Sequence, residues 1–328
     1  MKNLIIGGAG FIGAHLARAL ASAGESVDVI DNFSRGVRDA FLAELESRRG
    51  VNLIHGDILD ERFSIGDDYD MIYQFAAIIG VRHVTERPFD VLNVNVAIQA
   101  RAIDVARRQR ALRRFIFTST SEVYAGSLLH LRLPVPTPED VPLALTDLTH
   151  PRTSYMLSKI YGEAMCHHSG VPFTIVRPHN VYGPRMGMVH VLPELMKKAL
   201  DLPHGGKLEV ASVDHRRSFC YIDDAIELLR RLAVSPEGER RVFNLGNQEE
   251  EVTIGQVAQQ VLRTVNRPDL EVVAGPATPG SPARRCPDMT RAVAAAGFRP
   301  VVDLAEGMQR TYRWYHENVF AAGGVSAT

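Results

Sequence analysis

The feature that most limits how this chain can fold is the glycine run Gly7-Gly8-Ala9-Gly10-Phe11-Ile12-Gly13. It lies between a short apolar run, Lys2–Ile6, and a stretch from Phe11 to Ala23 in which Ile12, Leu16, Ala19 and Leu20 recur at helical spacing. An apolar run that stops abruptly at glycine reads as a buried parallel strand. Gly7, Gly10 and Gly13 then occupy a strand-to-helix turn. There they permit tight backbone geometry, close approach of a phosphate to main-chain N–H groups, and close helix–strand packing. Ser26-Val27-Asp28-Val29-Ile30 alternates as a second strand and ends at Asp31. An acid about 20 residues past such glycines accepts hydrogen bonds from the adenosine ribose hydroxyls. It also repels a 2′-phosphate, so NAD is expected rather than NADP. An ordinary glycine turn and a solvated acid would explain the pieces singly, but not the order strand, glycines, helix, strand, acid.

The alternation continues. Strands are predicted at Val51–Ile54, Met71–Phe75, Phe115–Thr118 and Phe173–Val176, with helical patterns between them, notably Val91–Arg108 and Ser154–Cys166. This order predicts an α/β fold, a doubly wound parallel sheet of the Rossmann type with helices on both faces. Ligands of such sheets sit outside the carboxyl ends of the strands. Asp57-Ile58 follow the third strand, with Asp57 in reach of an adenine amino group, and the small Ala76-Ala77 follow the fourth. Ser119-Thr120-Ser121-Glu122 follow the fifth, and Arg177 to Asn180 the sixth. Turn chemistry or helix capping is the plain reading at each position, and Ser119 to Glu122 fits a capping box.

A second motif supplies chemistry. In Tyr155-Met156-Leu157-Ser158-Lys159 the Tyr and Lys stand at i and i+4, on one face of a helix. An ammonium near a phenol favours the phenolate, and cationic NAD favours it further. A tyrosine that ordinarily titrates near 10 can then act as a base toward a sugar hydroxyl, with Thr120 or Ser119 orienting that hydroxyl. Alone, the spacing usually marks a surface pair. After a dinucleotide-binding half and a Ser/Thr cluster it reads as catalytic.

The chain has 328 residues, 45% hydrophobic and 23% charged, with a formal net charge of −1. That length supports two domains or one large one, and the near-neutral balance gives no general attraction to nucleic acid or membrane. Cys166, Cys220 and Cys286 are too few and too scattered for a disulfide framework, and no metal site is expected. No signal-peptide core and no membrane-spanning stretch is present in the sequence, so the expected compartment is the cytoplasm.

These motifs, with Ser119-Thr120-Ser121-Glu122-Val123-Tyr124, Asn180-Val181-Tyr182-Gly183-Pro184-Arg185 and Arg217 to Asp224, resemble the extended short-chain dehydrogenases/reductases that act on nucleotide sugars as epimerases, dehydratases and decarboxylases. The resemblance implies an NAD-binding Rossmann domain at 1–178 and a smaller α/β domain at 179–320 for a nucleoside-diphosphate sugar. Segments around 218–246 are expected to return to the first domain, and 321–328 to form a flexible tail. A homodimer joined through helices like Val91–Arg108 and Ser154–Cys166 is also implied. By motif position the cofactor would be held by Gly7, Gly10, Phe11, Ile12 and Gly13, then by Asp31, Asn32, Asp57 and Ile58, and by Ala76, Ala77, Asn95, Tyr155 and Lys159. Thr120, Tyr155 and Lys159 would be catalytic, joined by Glu122 if the reaction involves C5. Ser121, Asn180, Arg185, Arg217, Arg284 and Arg285 would hold the substrate, with Arg217 and Arg284 or Arg285 near its diphosphate, where a planar donor fork suits phosphate oxygens.

The implied first step is oxidation at sugar C4, giving a 4-keto sugar. An epimerase then returns hydride to the other face, a 4,6-dehydratase removes H5 and the C6 oxygen, and a decarboxylase loses carbon dioxide from a uronic acid. A 4-epimerase is the leading reading, with decarboxylase and 4,6-dehydratase as alternatives. Glu122 departs from the simple epimerase pattern and, with Arg285-Cys286-Pro287-Asp288, looks like the decarboxylases. Against this, Ala76 to Pro88 lacks the Ser/Pro-rich segment with tyrosine that decarboxylases carry. The proline-bearing stretch Ala125–His150 is expected to reshape the sugar pocket. A non-catalytic NAD-binding regulator is the reading from a different class. Such proteins lose the Tyr or Lys, and this chain keeps both.

Asp31 should set cofactor choice. A titration is expected to show NAD binding far more tightly than NADP, and equal affinity for the two would remove Asp31 from that role.

Overall fold

The computed structural model describes residues 1–277 and 282–321, so the tail expected at 321–328 lies almost wholly outside the described residues. The chain opens with β1 (Lys2–Ile6), α1 (Phe11–Ser22), β2 (Ser26–Asp31), α2 (Ala40–Glu46), β3 (Val51–His55) and β4 (Met71–Gln74). It continues through α3 (Val81–Glu86), α4 (Pro88–Arg107), β5 (Arg114–Thr118), α5 (Ala125–His130), α6 (Thr153–His168) and β6 (Phe173–Pro178). Next come β7 (Val181–Tyr182), α7 (Val191–Asp201), β8 (Lys207–Val210), β9 (Arg216–Ser218), β10 (Cys220–Tyr221) and α8 (Ile222–Val234). The last elements are β11 (Arg241–Leu245), β12 (Glu251–Thr253), α9 (Ile254–Thr264), β13 (Glu271–Ala274), β14 (Arg284–Arg285), α10 (Thr290–Ala296) and α11 (Leu304–Tyr315).

Seven strands form a parallel sheet in the order β11-β6-β5-β4-β1-β2-β3. Side chains alternate across it with period two. Ile5, Ile116 and Val176 enter a core shared with α1 and α8, while Leu4, Ile6, Phe115, Phe117 and Ile175 enter a second core with α4 and α6. Both faces are covered, which is why these strands read as near-continuous apolar runs. Helix α4 begins before the predicted Val91, because Pro88 at its first position suits a helix start and Asp90 lies in the first turn.

From β1 the chain builds β2 and β3 on one side, then crosses to β4 on the other. This reversal opens a crevice at the carboxyl ends of β1 and β4. There Gly7 has φ +78°, and a Cβ on it would stand 2.5 Å from the Ala76 backbone nitrogen. A Cβ on Gly13 would stand 2.7 Å from Gly8 Cα, so both glycines are required for α1 to enter the turn this closely.

Beyond β6, β11 returns to the sheet edge beside β6, and α8 packs against α1. Smaller sheets flank the carboxyl ends of the main one: β7 with β10, β8 with β13, and β9 between β12 and β14. The β9–β14 register places Arg217 beside Arg285. The stretch between α5 and α6 is tied into the same region. Thr137 N–H donates to the Cys286 carbonyl, and Asp288 N–H donates to the Thr137 carbonyl, each at 2.9 Å. Among the described residues, no helix is long and apolar enough to cross a membrane.

Candidate active site

The catalytic candidates converge where β5 ends and α6 begins. Lys159 is buried on α6, and its Nζ donates to the Thr118 carbonyl at 2.9 Å while lying 5.8 Å from the Tyr155 ring centre. Thr120 begins a short 3-10 turn, Ser121–Tyr124, and its hydroxyl accepts from the Glu122 N–H at 3.2 Å. The same hydroxyl stands near enough to the Tyr155 phenol to favour its ionised form. Ser119 does not share this role: its hydroxyl donates to Glu163 Oε1 at 2.5 Å. The expected capping box is also absent, since the Glu122 carboxylate turns away from the backbone and accepts from Arg285 Nη1 at 2.7 Å. An ion pair to a guanidinium outcompetes a neutral backbone donor.

The electrostatics differ in one respect from the sequence expectation. The Tyr155 phenol is pushed above its ordinary range, first by burial and then by the Glu122 carboxylate, while Thr120 and Arg35 act in the opposite direction. The Tyr155 side chain is half-buried. Burial also lowers the Lys159 ammonium to about 8, opposed by Glu163. Glu122 is held below the ordinary carboxylate range chiefly by Arg285, against burial, with help from Arg152 and Arg217. Burial and then Arg285 lower Arg217 to about 10.

Behind this cluster lies a buried network that the sequence reading missed. Arg177 on β6 pairs with Glu163 through Nη2 to Oε2 at 2.6 Å and Nε to Oε1 at 2.9 Å. Its Nη1 also donates to the Tyr124 hydroxyl at 2.7 Å, and that hydroxyl donates to Asn244 Oδ1 at 2.8 Å. The available signal was spacing: Glu163 stands four residues past Lys159, as Lys159 does past Tyr155.

On the cofactor side, Asp31 accepts from Ala9 N–H at 3.0 Å and Phe33 N–H at 2.8 Å, leaving a lone pair on each oxygen for a ribose hydroxyl. Asn32 donates to Asp57 Oδ2 at 3.0 Å, and Ile58 is buried beneath them. Asn95 is expected at the cofactor. It brackets Ile78, accepting from its N–H at 2.7 Å and donating to its carbonyl at 3.0 Å, and so fixes the loop after Ala76-Ala77.

Among the substrate candidates, Asn180 (φ +41°) donates to the Ser218 carbonyl at 2.8 Å, and Ser121 is buried in the turn next to Thr120. Arg217 donates to the Arg216 and Pro282 carbonyls, which hold it beside Arg285. Arg284 is exposed and paired with Glu251 at 2.7 Å. Arg185 lies away from this group. It pairs with Asp39 at 2.6 Å on the cofactor side, because its left-handed backbone (φ +68°) turns the side chain toward the glycine turn.

Residues 3–246 match the sequence model described as the NAD dependent epimerase/dehydratase family. The chain belongs to that family. It is 30% identical over 331 positions to a UDP-N-acetyl-alpha-D-glucosaminuronate decarboxylase of Bacillus cytotoxicus, covering 96% of this chain and 98% of the relative. It is 31% identical to UDP-glucuronic acid decarboxylase 2 of Arabidopsis thaliana, covering 98% of this chain and 69% of that protein. Among solved structures, a UDP-glucuronic acid 4-epimerase variant of Bacillus cereus bound to NAD and a fluorinated UDP-sugar matches at TM-score 0.84 and 26% identity, covering 97% and 99% of the two chains. A dTDP-glucose 4,6-dehydratase of Streptomyces venezuelae matches at TM-score 0.82 and 25% identity, covering 97% and 98%. The protein is thus an NAD-dependent enzyme that modifies nucleotide sugars.

The residues fit NAD. Gly10 begins α1 without a side-chain cap, so the first-turn N–H groups remain for a pyrophosphate. A Cβ on Gly10 would meet only the Gly7 carbonyl oxygen, at 3.5 Å, so the space above the turn is open to a phosphate. Asp31 would hold the ribose, and Tyr155 and Lys159 the reactive end.

Lys159 loses its proton as pH rises through about 8, so the positive charge that favours the Tyr155 phenolate is present below that pH and lost above it. Single-turnover sugar oxidation is expected to lose rate above about pH 8. Lys159→Arg should move that limb to higher pH, and an unmoved limb would assign it to another group. Tyr155→Phe should abolish oxidation while NAD stays bound.

Proposed function

We propose that this enzyme is a nucleotide-sugar decarboxylase acting on a UDP-hexuronate. The observation that carries the reading is the Glu122–Arg285 ion pair, 2.7 Å between charged atoms, set beside Tyr155. The Bacillus cytotoxicus and Arabidopsis relatives are uronate decarboxylases, and the Bacillus cereus epimerase acts on UDP-glucuronic acid, so a UDP-uronate is the substrate common to them. The guanidinium groups of Arg35, Arg152, Arg217 and Arg285 surround the Tyr155–Glu122 pair and favour a substrate with negative charge at both diphosphate and sugar. Arg285 Nε is buried without a partner among the described residues, a donor that a substrate oxygen would satisfy.

The chemistry is set by these groups. Tyr155 takes the proton of the C4 hydroxyl, with Thr120 holding the same oxygen. NAD, held by the Gly7–Gly13 turn, Asp31, Tyr155 and Lys159, would supply the acceptor and donor for the C4 hydride, and its cationic ring would favour the phenolate. A ketone at C4 makes the C6 carboxylate a β-keto acid, so the C5–C6 bond breaks with its electron pair entering the enolate as carbon dioxide leaves. C5 then regains a proton from solvent, through a water that the Glu122 carboxylate, kept ionised by Arg285, would orient against the enolate. The segment outside the seven-stranded sheet supplies Arg217 and Arg285 and would form the substrate side. The homodimer implied by the resemblance would cover the outer faces of α4 and α6, near Phe89 at 75% and Tyr161 at 52% exposure.

Epimerisation at C4 is the second reading, favoured by the likeness to the UDP-glucuronic acid 4-epimerase. Glu122→Gln separates the two. Decarboxylation predicts a fall in turnover of about 10²–10⁴-fold, the usual contribution of a positioned acid or base. The near-ultraviolet absorbance of reduced cofactor should accumulate, because C4 oxidation stays intact. A modest effect with no accumulation would count for the epimerase.

A further inference from the structure

We propose that Arg185 is a latch that retains NAD, pinning the loop over the cofactor cradle to the substrate-side segment that follows β7. The proposal rests on NAD being the cofactor and not on which product is formed.

The cradle has a floor, a side and a cover. The floor is the Gly7–Gly13 turn and the side is Asp31. The cover is the loop Asn32–Asp39, which folds back so closely that a Cβ on Gly36 would lie 2.8 Å from Ala9 Cβ and 3.1 Å from Asp31 Oδ1. Release of a dinucleotide lying on the turn requires this loop to lift. Arg185 reaches the loop from outside the seven-stranded sheet. Its Nε donates to Asp39 Oδ2 at 2.6 Å, and its Nη2 to the carbonyls of Val37 at 3.2 Å and Ala9 at 3.4 Å. One guanidinium therefore ties the cover to the floor. The Arg185 side chain is only 4% exposed and Asp39 25%, so the donor end of the contact is sheltered from water.

Two further features show that the segment is built for this purpose. Arg185 holds φ +68°, a conformation that a non-glycine residue keeps only where its surroundings enforce it. Next to it, the Pro184 carbonyl lies 3.0 Å from His15 Nε2 on α1, the helix whose first turn faces the pyrophosphate. Burial, then Arg18, keeps His15 neutral by lowering it to about 3, so Nε2–H is the donor and this second rivet does not change with physiological pH. Arg185 Nη1 is buried and has no partner among the described residues. An oxygen of the cofactor in the adjacent cradle would satisfy it. The functional need is plain: a reaction that returns its hydride within one turnover fails if the reduced cofactor leaves first.

The test compares NAD-loaded parent protein with Arg185→Ala, Arg185→Lys, Asp39→Asn and the Arg185→Ala/Asp39→Asn double variant. Asn at 39 can still accept from Leu42 N–H, so the cap of α2 survives. The readouts are NAD per chain after gel filtration, the rate of NAD release into an NAD-consuming trap, and UDP affinity. Release is expected to accelerate about tenfold in Arg185→Ala, as for loss of a buried charge-assisted contact, and less in Asp39→Asn and Arg185→Lys. The double variant should release no faster than Arg185→Ala, because both changes break one contact. UDP affinity should be unchanged. Parent-like release in the variants, effects that multiply in the double variant, or a parallel loss of UDP affinity would overturn the latch. If Arg185→Ala does not fold, parent-like release from Asp39→Asn and Arg185→Lys overturns it alone.

Discussion

Glu163 and Arg177 form a buried ion pair on which the rest of the catalytic cluster depends. Their side chains are 6% and 4% exposed, and each makes further hydrogen bonds that offset the cost of removing two charges from water. Glu163 receives the Ser119 hydroxyl and so fixes the end of β5, from which Thr118 holds Lys159 and Thr120 reaches Tyr155. Arg177 holds Tyr124, which closes the turn that presents Glu122, and through Asn244 the network extends to Thr137 and Asp288 beside Arg285. Removing one partner of such a pair leaves an uncompensated charge, a loss of about 3–5 kcal/mol. A helix, four strands and the stretch before α6 are thereby held in one register around the reacting atoms.

The same framework explains how one fold supports several outcomes. On the proposed reading, oxidation at C4 uses Tyr155, Lys159, Thr120 and the cofactor cradle, and all of these lie at the carboxyl edge of the parallel sheet. In that proposal, the fate of the resulting ketone depends on the charge facing C5 and C6. That charge is set by Glu122 from the sheet edge and by Arg285 from β14, elements 163 positions apart in sequence that meet only in the folded chain. The β9–β14 register and the Thr137 bridge hold Arg285 in place. The proline-bearing stretch before α6 therefore acts on the sugar site indirectly, by bracing the arginine segment.

Much of this was legible in the sequence, for a physical reason. Strands buried on both faces produce apolar runs, and glycines at the crevice are demanded by backbone contacts as short as 2.5 Å, so β1 to β6 and the cofactor turn carry strong local signals. Tyr155 and Lys159 lie one helical turn apart and were equally visible. Roles set by tertiary contacts were not. Asn95, expected at the cofactor, braces Ile78, and Arg185, expected at the substrate, grips Asp39. Glu122 looked like a cap, yet an arginine far along the chain takes its carboxylate. The sequence also suggested that Lys159 would lower the Tyr155 phenol, whereas burial and Glu122 dominate in the folded protein. Local spacing shows which face a residue occupies, but not which distant charge shares that face.

On the proposed reading, the Glu122–Arg285 pair directs a C4-oxidised uronate toward loss of its carboxylate. The most direct measurement is mass spectrometry of the product formed from UDP-glucuronate in deuterated water. The expected product is a nucleotide sugar that has lost carbon dioxide and carries one solvent deuterium at C5. A product of unchanged mass, inverted at C4 and free of deuterium, would contradict it.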